Sequence, residues 1–302
     1  MKRIFARTLR LFAVLAMLGS CFGQAAAPAA APKPRHILLW KASSPTNTVY
    51  LLGSIHAGKK DMYPLPQAIE SAFAASRVLA VEFNIKNIDQ MALLPLIQQY
   101  GMYPGDDTLF KHVPQATADA LNDFGKKHPL FAMALPRMKP WLAALTVVQS
   151  ALQEAGDDPS MGIDFHFLDE AKTQRIEELE SADFQIKLLA SATEEEQMEM
   201  LKSTLKHAAT ALDSFSKLQN AYLAGDAETM LKLIHEEEEG PKSLMKKLLD
   251  DRNLTMAEHV DGFLKGKEPC FVVVGAGHII GDKGIVKLLQ DKGYKVEMVP
   301  TN

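Results

Sequence analysis

Two segments of this sequence pair a glycine with a histidine three residues later, each directly after an apolar run. Gly53 and His56 form the first pair, and Gly275 and His278 form the second. Imidazole is a common ligand of transition metals, and two imidazoles with one carboxylate leave coordination positions open for water. Such a site can supply a nucleophile near neutral pH. The repeated pattern favours a metal-dependent hydrolytic site, although a single histidine at a strand end is more often a structural residue.

A carboxylate that suits this site ends a third apolar run. Glu82 follows Val78–Val81, which is typical of a strand buried on both faces. A charged side chain in that place is uncommon without a partner. If this strand is parallel to those that precede the histidines, Glu82 emerges at the same edge of the sheet. We predict that it is a metal ligand or a base.

The carboxyl edge of an open α/β sheet is where such folds bind ligands. Glycine adopts backbone conformations that are closed to other residues. We therefore expect Gly53 and Gly275 to turn the chain away from the strand ends and to expose both imidazoles at this edge.

Short strands at both ends of the chain and in two interior places must position these residues. A turn-rich gap separates the first two, which predicts a hairpin. The strand-like segments are His36–Lys41, Thr48–Gly53, Arg77–Phe83, Ile176–Leu179, Pro269–Gly275 and Tyr294–Val299.

Helical patterns fill the rest of the chain. Leu65–Ala75 and Ile285–Lys292 link strands and indicate βαβ-like units. Two longer helical regions, about 117–155 and 183–264, contain breaks near prolines and glycines. The sequence therefore predicts an α/β fold: a mixed β-sheet core from both chain ends, with two large helical insertions that we expect to build the substrate wall.

The N-terminus has the features of an export signal. Four basic residues precede the apolar run Leu11–Leu18, which is too short to span a bilayer. We predict a signal peptide over residues 1–25, an Ala/Pro-rich linker over 26–34 and one domain over 35–302. The protein is then periplasmic or secreted, with an uncleaved anchor as the alternative.

Cys21 indicates an alternative form of processing for this N-terminus. Leu18–Cys21 resembles a lipobox, in which the cysteine is lipidated. In that case the protein is a membrane-anchored lipoprotein, and the linker is a flexible tether.

Charge and cysteine content limit the class of partner. The net charge is -4, and removal of a signal peptide with four basic and no acidic residues makes it -8. Nucleic-acid binding needs a basic surface, so we predict no nucleic-acid partner. The two cysteines, Cys21 and Cys270, predict no internal disulfide, because one is lost or lipidated.

A series of further motifs accompanies the glycine–histidine pairs in a fixed order. They are Leu39–Lys41, Val49–His56, Leu65–Pro66, Val81–Glu82, Met138–Trp141, Gly162–Asp164, Leu179–Ser181 with Gln185, Tyr222 with Gly225–Asp226, Arg252–Asn253, and Val274–His278 with Gly281 and Gly284. The ordered set resembles the TraB/GumN family, also called TraB/PrgY or Tiki-like, over nearly all of residues 35–302. Ser54 stands where threonine is more familiar, which keeps the hydroxyl.

The resemblance implies a fold and site shared with erythromycin esterase-like and haem-binding ChaN-like proteins (EreA/ChaN/Tiki-like). Animal Tiki members are membrane-tethered, metal-dependent proteases that cleave peptides. Bacterial members are linked to pheromone inactivation or exopolysaccharide operons. The implied function is therefore an exported metal-dependent hydrolase that acts on peptides.

The resemblance also implies roles for individual residues. His56 and His278 are the implied ligands of a divalent transition metal (Mn, Co or Zn), with Glu82 as third ligand or base and Glu180 as a second carboxylate. Arg252 is implied to stabilise an oxyanion, because its guanidinium is always charged; an ion pair with a neighbour such as Asp250 is the alternative. Asn253 is implied to orient a carbonyl or a water.

Two other functions stay open. The protein could bind a peptide or haem without chemistry, and a haem slot needs an apolar lining. Methionines that could supply it are Met133, Met138, Met161, Met198, Met200 and Met230. A regulatory role in envelope assembly is the other. We expect the histidines in polar or helical segments to lie at the surface, outside any site: His112, His128, His207, His235 and His259. We also expect no site role for His166.

Overall fold

The structure, a computed structural model, describes residues 35–208, 211–235 and 241–301. Its strands are β1 (Leu39–Ser43), β2 (Thr48–Ser54), β3 (Val78–Val81), β4 (Arg175–Glu178), β5 (Cys270–Gly275) and β6 (Lys295–Val299). They form one six-stranded sheet with the order β4-β3-β5-β2-β1-β6. Every predicted strand is present, within a few residues of its predicted bounds.

The helices of the described residues surround this sheet. They are α1 (Gln67–Ala74), α2 (Gln90–Gly101), α3 (Gln115–Lys127), α4 (Pro129–Ala134), α5 (Pro140–Glu154), α6 (Ile163–Glu170), α7 (Ala182–Ala190), α8 (Glu194–His207), α9 (Ala211–Ala224), α10 (Ala227–His235), α11 (Lys242–Leu248), α12 (Asp250–Lys265), α13 (Ala276–Ile279) and α14 (Ile285–Asp291).

The central strand β5 comes from the C-terminal part of the chain and lies between β3 and β2, parallel to both. β1 pairs antiparallel with β2 and with β6, so the predicted hairpin and the mixed sheet from both chain ends are confirmed. In both predicted βαβ-like units, the two strands that the helix connects are not neighbours in the sheet. β5 separates β2 from β3, and β2 and β1 separate β5 from β6.

The sheet is buried because its central strands are apolar and helices cover them. All residues of β3 and β5 are buried. Phe73 of α1 and Phe271 of β5 each lie 4.9 Å, between ring centroids, from Phe167 of α6. These contacts place α1 and α6 on the sheet.

The two helical insertions are present, but their breaks are more numerous than predicted. A break at 191–193 starts α8, whose N-terminus is a capping box in which the Thr193 hydroxyl and the Glu196 carboxylate bond each other's backbone N–H. α9 ends at Gly225, whose φ of 67° favours glycine. A Cβ there would lie 2.0 Å from the carbonyl oxygen of His36. Helices α2 and α6 were not predicted.

A second apolar cluster lies among the helices α2 to α5, α7, α8 and α11, around Trp141 and Leu145 of α5. The same helix sends Val148 and Leu152 into the cluster around the sheet. A helix that is buried on nearly every side, as α5 is, joins two cores.

The N-terminal segment, the cysteines and the possibility of a membrane-spanning helix were also considered in the sequence. The signal peptide, the linker and Cys21 lie outside the described residues. Cys270 is a free, buried thiol. None of the helices formed by the described residues has the length and apolar character needed to cross a membrane.

Candidate functional site

The two glycine–histidine turns lie side by side at the carboxyl edge of the sheet. β2 and β5 are parallel, and their register pairs Gly53 with Val274 and Ser54 with Gly275. His56 follows the end of β2, and His278 lies in the short helix α13 that follows β5. β3 is parallel to β5, so Glu82 emerges at the same edge. The predicted convergence of these three residues therefore occurs.

The glycines act differently from our expectation, because neither Gly53 nor Gly275 has a positive φ. Gly53 allows the two turns to touch, since a Cβ there would lie 2.8 Å from the Cα of Ala276. A Cβ on Gly275 would lie 3.2 Å from Nε2 of His56 and 3.3 Å from Oε1 of Glu82. The lack of a side chain at Gly53 therefore lets the two turns approach closely, and at Gly275 it leaves space for the imidazole of His56. Neither glycine is needed for a special backbone conformation.

Each imidazole is held through its Nδ1 atom. Nδ1 of His56 lies 2.8 Å from Oδ2 of Asp164, whose Oδ1 accepts a hydrogen bond from the Ser54 hydroxyl. Nδ1 of His278 lies 2.6 Å from Oδ1 of Asn253. Oxygen acceptors at both Nδ1 atoms favour a proton on Nδ1, so Nε2 is the atom through which each imidazole would bind a metal.

Asn253 is fixed in turn by a bond from its Nδ2 atom to the carbonyl oxygen of Lys283. It is 2% exposed. Its amide therefore orients His278, which differs from the predicted task of orienting a carbonyl or a water.

The Nε2 atoms of both imidazoles face one oxygen. Oε1 of Glu82 lies 4.0 Å from Nε2 of His56 and 3.8 Å from Nε2 of His278. The same oxygen accepts a hydrogen bond of 2.8 Å from the backbone N–H of Gly275. Within residues 35–208, 211–235 and 241–301, no group of three or more His, Cys, Asp or Glu side chains is already at metal-binding distances.

The second oxygen of Glu82 belongs to a buried ion-pair network. Its Oε2 accepts hydrogen bonds from Nη2 of Arg252 at 2.6 Å and from Nε2 of Gln185 at 3.0 Å. Nη2 and Nε of Arg252 also donate to Glu180, at 2.7 and 2.8 Å. Gln185 donates to Glu180 as well. Arg252 therefore joins the two carboxylates instead of pairing with Asp250, and its Nη1 donates to the carbonyl oxygen of Leu248. Its role toward an oxyanion stays a prediction.

Charge is unbalanced in this group. Glu82 and Glu180 pair with the guanidinium of Arg252, and Asp164 pairs with His56. Three carboxylates and one guanidinium leave two negative charges when both imidazoles are neutral. Burial lowers the pKa of His56, but Asp164, through its charge and hydrogen bond, and Glu82 outweigh burial and raise it to about 9. Burial raises the pKa of Glu82, but Arg252 and the two imidazoles hold it well below its ordinary value. The site therefore attracts a cation, whether a proton or a metal ion.

Sequence reasoning assigned no site role to Asp164, Ser54 or Gln185. All three stand in or beside the motifs that carried the family resemblance, which was the available signal. Their contacts with the site residues form only when the chain folds and brings β2, α6 and α7 together. Asp164, for example, is 108 positions from the histidine that it contacts.

Other histidines lie away from this group. Nε2 of His166 faces Glu70 at 3.3 Å. His112 and His259 are exposed, whereas His207, expected at the surface, is 4% exposed. The prediction for His207 was wrong because its helix, α8, packs against α5 and turns this position inward. The side chain of His235 lies outside the described residues.

The methionines considered for a haem slot are dispersed. Met138 and Met200 belong to the helical cluster, and Met133 is exposed. Met230 lines a cavity beside the two histidines. The six side chains therefore do not form one lining.

Comparisons with known proteins identify a family and uncharacterized relatives. Residues 38–298 match the profile of the TraB/PrgY/gumN family. The uncharacterized protein YbaP of Escherichia coli (strain K12) is 24% identical over 243 residues, which cover 80% of this chain and 87% of YbaP. An uncharacterized protein of Treponema pallidum (strain Nichols) is 20% identical over 274 residues, which cover 84% of this chain and 80% of that protein. No solved structure matches the chain.

Proposed function

The chain belongs to the TraB/PrgY/gumN family, and we propose that it is an exported, metal-dependent hydrolase that acts on peptides. The observation that carries the proposal is the convergence of His56 and His278 on Oε1 of Glu82. Both imidazoles are fixed at Nδ1 by oxygen acceptors, which is the usual support of a metal-binding histidine.

The donor set fits a divalent transition metal. Two imidazole nitrogens and one carboxylate oxygen suit Zn, Mn or Co and leave room for further ligands. Donors bound tetrahedrally at about 2.0–2.1 Å lie roughly 3.4 Å apart. Oε1 of Glu82 lies 4.0 and 3.8 Å from the two Nε2 atoms, which is close to this spacing. A divalent ion would also match the two unbalanced negative charges.

A metal held there supplies Lewis acidity for hydrolysis. Glu82 is assigned as its third ligand, because Oε1 faces both imidazoles and a carboxylate with a lowered pKa is a poor base. Glu180 holds Arg252, and Arg252 holds Glu82. These residues thus keep a buried carboxylate ionised and oriented toward the histidines.

The cellular setting is part of the proposal. The basic and apolar N-terminus supports export, and Cys21 supports a lipid anchor with residues 26–34 as the tether. A peptide substrate outside the cytoplasm agrees with the peptide-cleaving members of the resembled family.

Metal analysis of the purified chain tests the site. After equilibration with Zn, Mn or Co and dialysis, we expect about one ion per chain. The double variant His56→Ala, His278→Ala should retain almost none. The matched control is His112→Ala, His259→Ala, which removes two exposed imidazoles. Equal metal content in the wild type and the site variant would overturn the metal site.

Hydrolysis is tested separately. A pool of fluorogenic peptides should be cleaved by the metal-loaded chain, but not by the site variant or after chelation. Metal binding without cleavage of any peptide would identify a binding protein in place of a peptidase.

A further inference from the structure

An apolar cavity opens directly beside the two histidines. His56, His278 and the chain from Gly275 to Gly277 form one side of it. Helices α5, α9 and α10 form the opposite wall. The wall residues are Leu152, Phe215, Leu218, Tyr222, Met230 and Ile234. Each of these side chains is 7% exposed or less, so the cavity lies inside the fold and not on its surface.

The hydroxyl groups that line this cavity are already engaged. The Tyr222 hydroxyl donates to the carbonyl oxygen of Gly53 at 2.8 Å, and the Ser54 hydroxyl donates to Asp164. The wall therefore offers an apolar occupant no competing hydrogen-bond requirement. Water gains few partners there, whereas an aliphatic group buries its surface favourably.

The cavity adjoins a larger open groove. Ile234 and Gly277 line both spaces. Asn253 and Lys283 also line the groove, and Asn253 orients His278. With the open space at their mouths included, the cavity measures about 590 Å³ and the groove about 1290 Å³. An extended chain in the groove can therefore place one side chain in the cavity and its backbone next to the histidines.

We propose that this cavity is the specificity subsite for an aliphatic side chain, such as that of norleucine or methionine, next to the bond that is cleaved. The substrate class is then a peptide with a medium-sized apolar residue at that position. The inference rests on the proposed function for the cleavage step, but the binding of the side chain needs neither metal nor catalysis.

Binding is measured first, with metal removed by chelation. The probes are N-acetyl-norleucine amide and N-acetylglycine amide, titrated into the chain by calorimetry or NMR. Each buried methylene improves affinity by roughly fourfold, so norleucine should bind at least about tenfold more tightly than glycine. Equal affinities would overturn the subsite.

Two variants locate the binding in this cavity. Leu152→Phe fills the space and should weaken norleucine binding by roughly tenfold without affecting glycine. Phe215→Leu enlarges it and should move the preference toward N-acetyl-phenylalanine amide. The control is Phe167→Leu, the same substitution in the core of the sheet. Circular dichroism confirms that each variant is folded. If the control alters the preference as much as Phe215→Leu does, the assignment to this cavity is wrong.

Peptide hydrolysis completes the test. Peptides that differ only at the predicted position should be cleaved fastest with norleucine or methionine, and Phe215→Leu should shift that optimum in the same direction as binding. Cleavage without any such preference would overturn the subsite and leave the hydrolase intact. Selective binding without cleavage would overturn the hydrolase and leave the subsite intact.

Discussion

Asp164 holds His56 through a 2.8 Å contact between Oδ2 and Nδ1, whereas the equivalent atom of His278 meets the neutral amide of Asn253. The two imidazoles of the pair are therefore oriented alike but have different charge environments. A carboxylate partner makes an imidazole a more basic ligand than an amide does. His56 is thus expected to be the more basic metal ligand of the two.

Asp164→Asn is expected to weaken metal binding by about 10–100-fold, because the amide can still accept a hydrogen bond from Nδ1 but carries no charge. The measurement is a competition titration with a metal-binding dye. Asp261→Asn is the control, since this carboxylate bonds Lys265 and Tyr294 instead of a histidine. An unchanged dissociation constant for Asp164→Asn would show that its charge does not support the site.

Arg252→Met is expected to lower the free energy of unfolding by about 3–5 kcal/mol, because it leaves Glu82 and Glu180 buried without their counter-charge. Urea denaturation of the metal-free chain measures this loss. Arg175→Met is the matched control. The Arg175 side chain is 53% exposed and pairs with Glu268, so we expect a change of about 0–1 kcal/mol. Similar losses for both variants would contradict the assigned importance of the buried network.

Gly275→Ala is expected to reduce metal affinity with little loss of stability. Its Cβ would lie 3.2 Å from Nε2 of His56, so that imidazole must shift by a few tenths of an ångström. The control is Gly262→Ala in the exposed part of α12, where a Cβ meets nothing within 4 Å. That change should stabilise the helix by up to about 1 kcal/mol without altering metal affinity. Retained affinity in Gly275→Ala would show that the space is not needed.

Cys270 should be unreactive in the folded protein. Burial raises the pKa of its thiol to about 12, so only about one molecule in ten thousand carries a thiolate at pH 8. The thiolate fraction rises with pH, but the thiol stays covered until the chain unfolds. A Cys21→Ser variant treated with a chromogenic disulfide reagent at pH 8 should react only after urea is added. Rapid labelling without denaturant would contradict the burial of β5.

The strands and the site edge were predictable because their signals are local. Continuous apolar runs such as Cys270–Gly275 form buried strands, and both glycine–histidine pairs follow such runs. The missed helix α2 lacks that clarity. It contains Pro95, and Met91 is 74% exposed, so the apolar side of the helix is poorly marked in the sequence.

The sequence by itself therefore determined the chemistry that is available: two imidazoles and a carboxylate at the ends of buried strands, in a chain with an export-like N-terminus. The tertiary structure decided which atoms of those residues face one another. Asp164, Asn253 and Arg252 reach the site from α6 and α12, far along the chain, and take up Nδ1 of each imidazole and Oε2 of Glu82. Hydrogen bonds between residues so distant in sequence leave no periodic signal, because only the folded sheet and its helices bring the partners together.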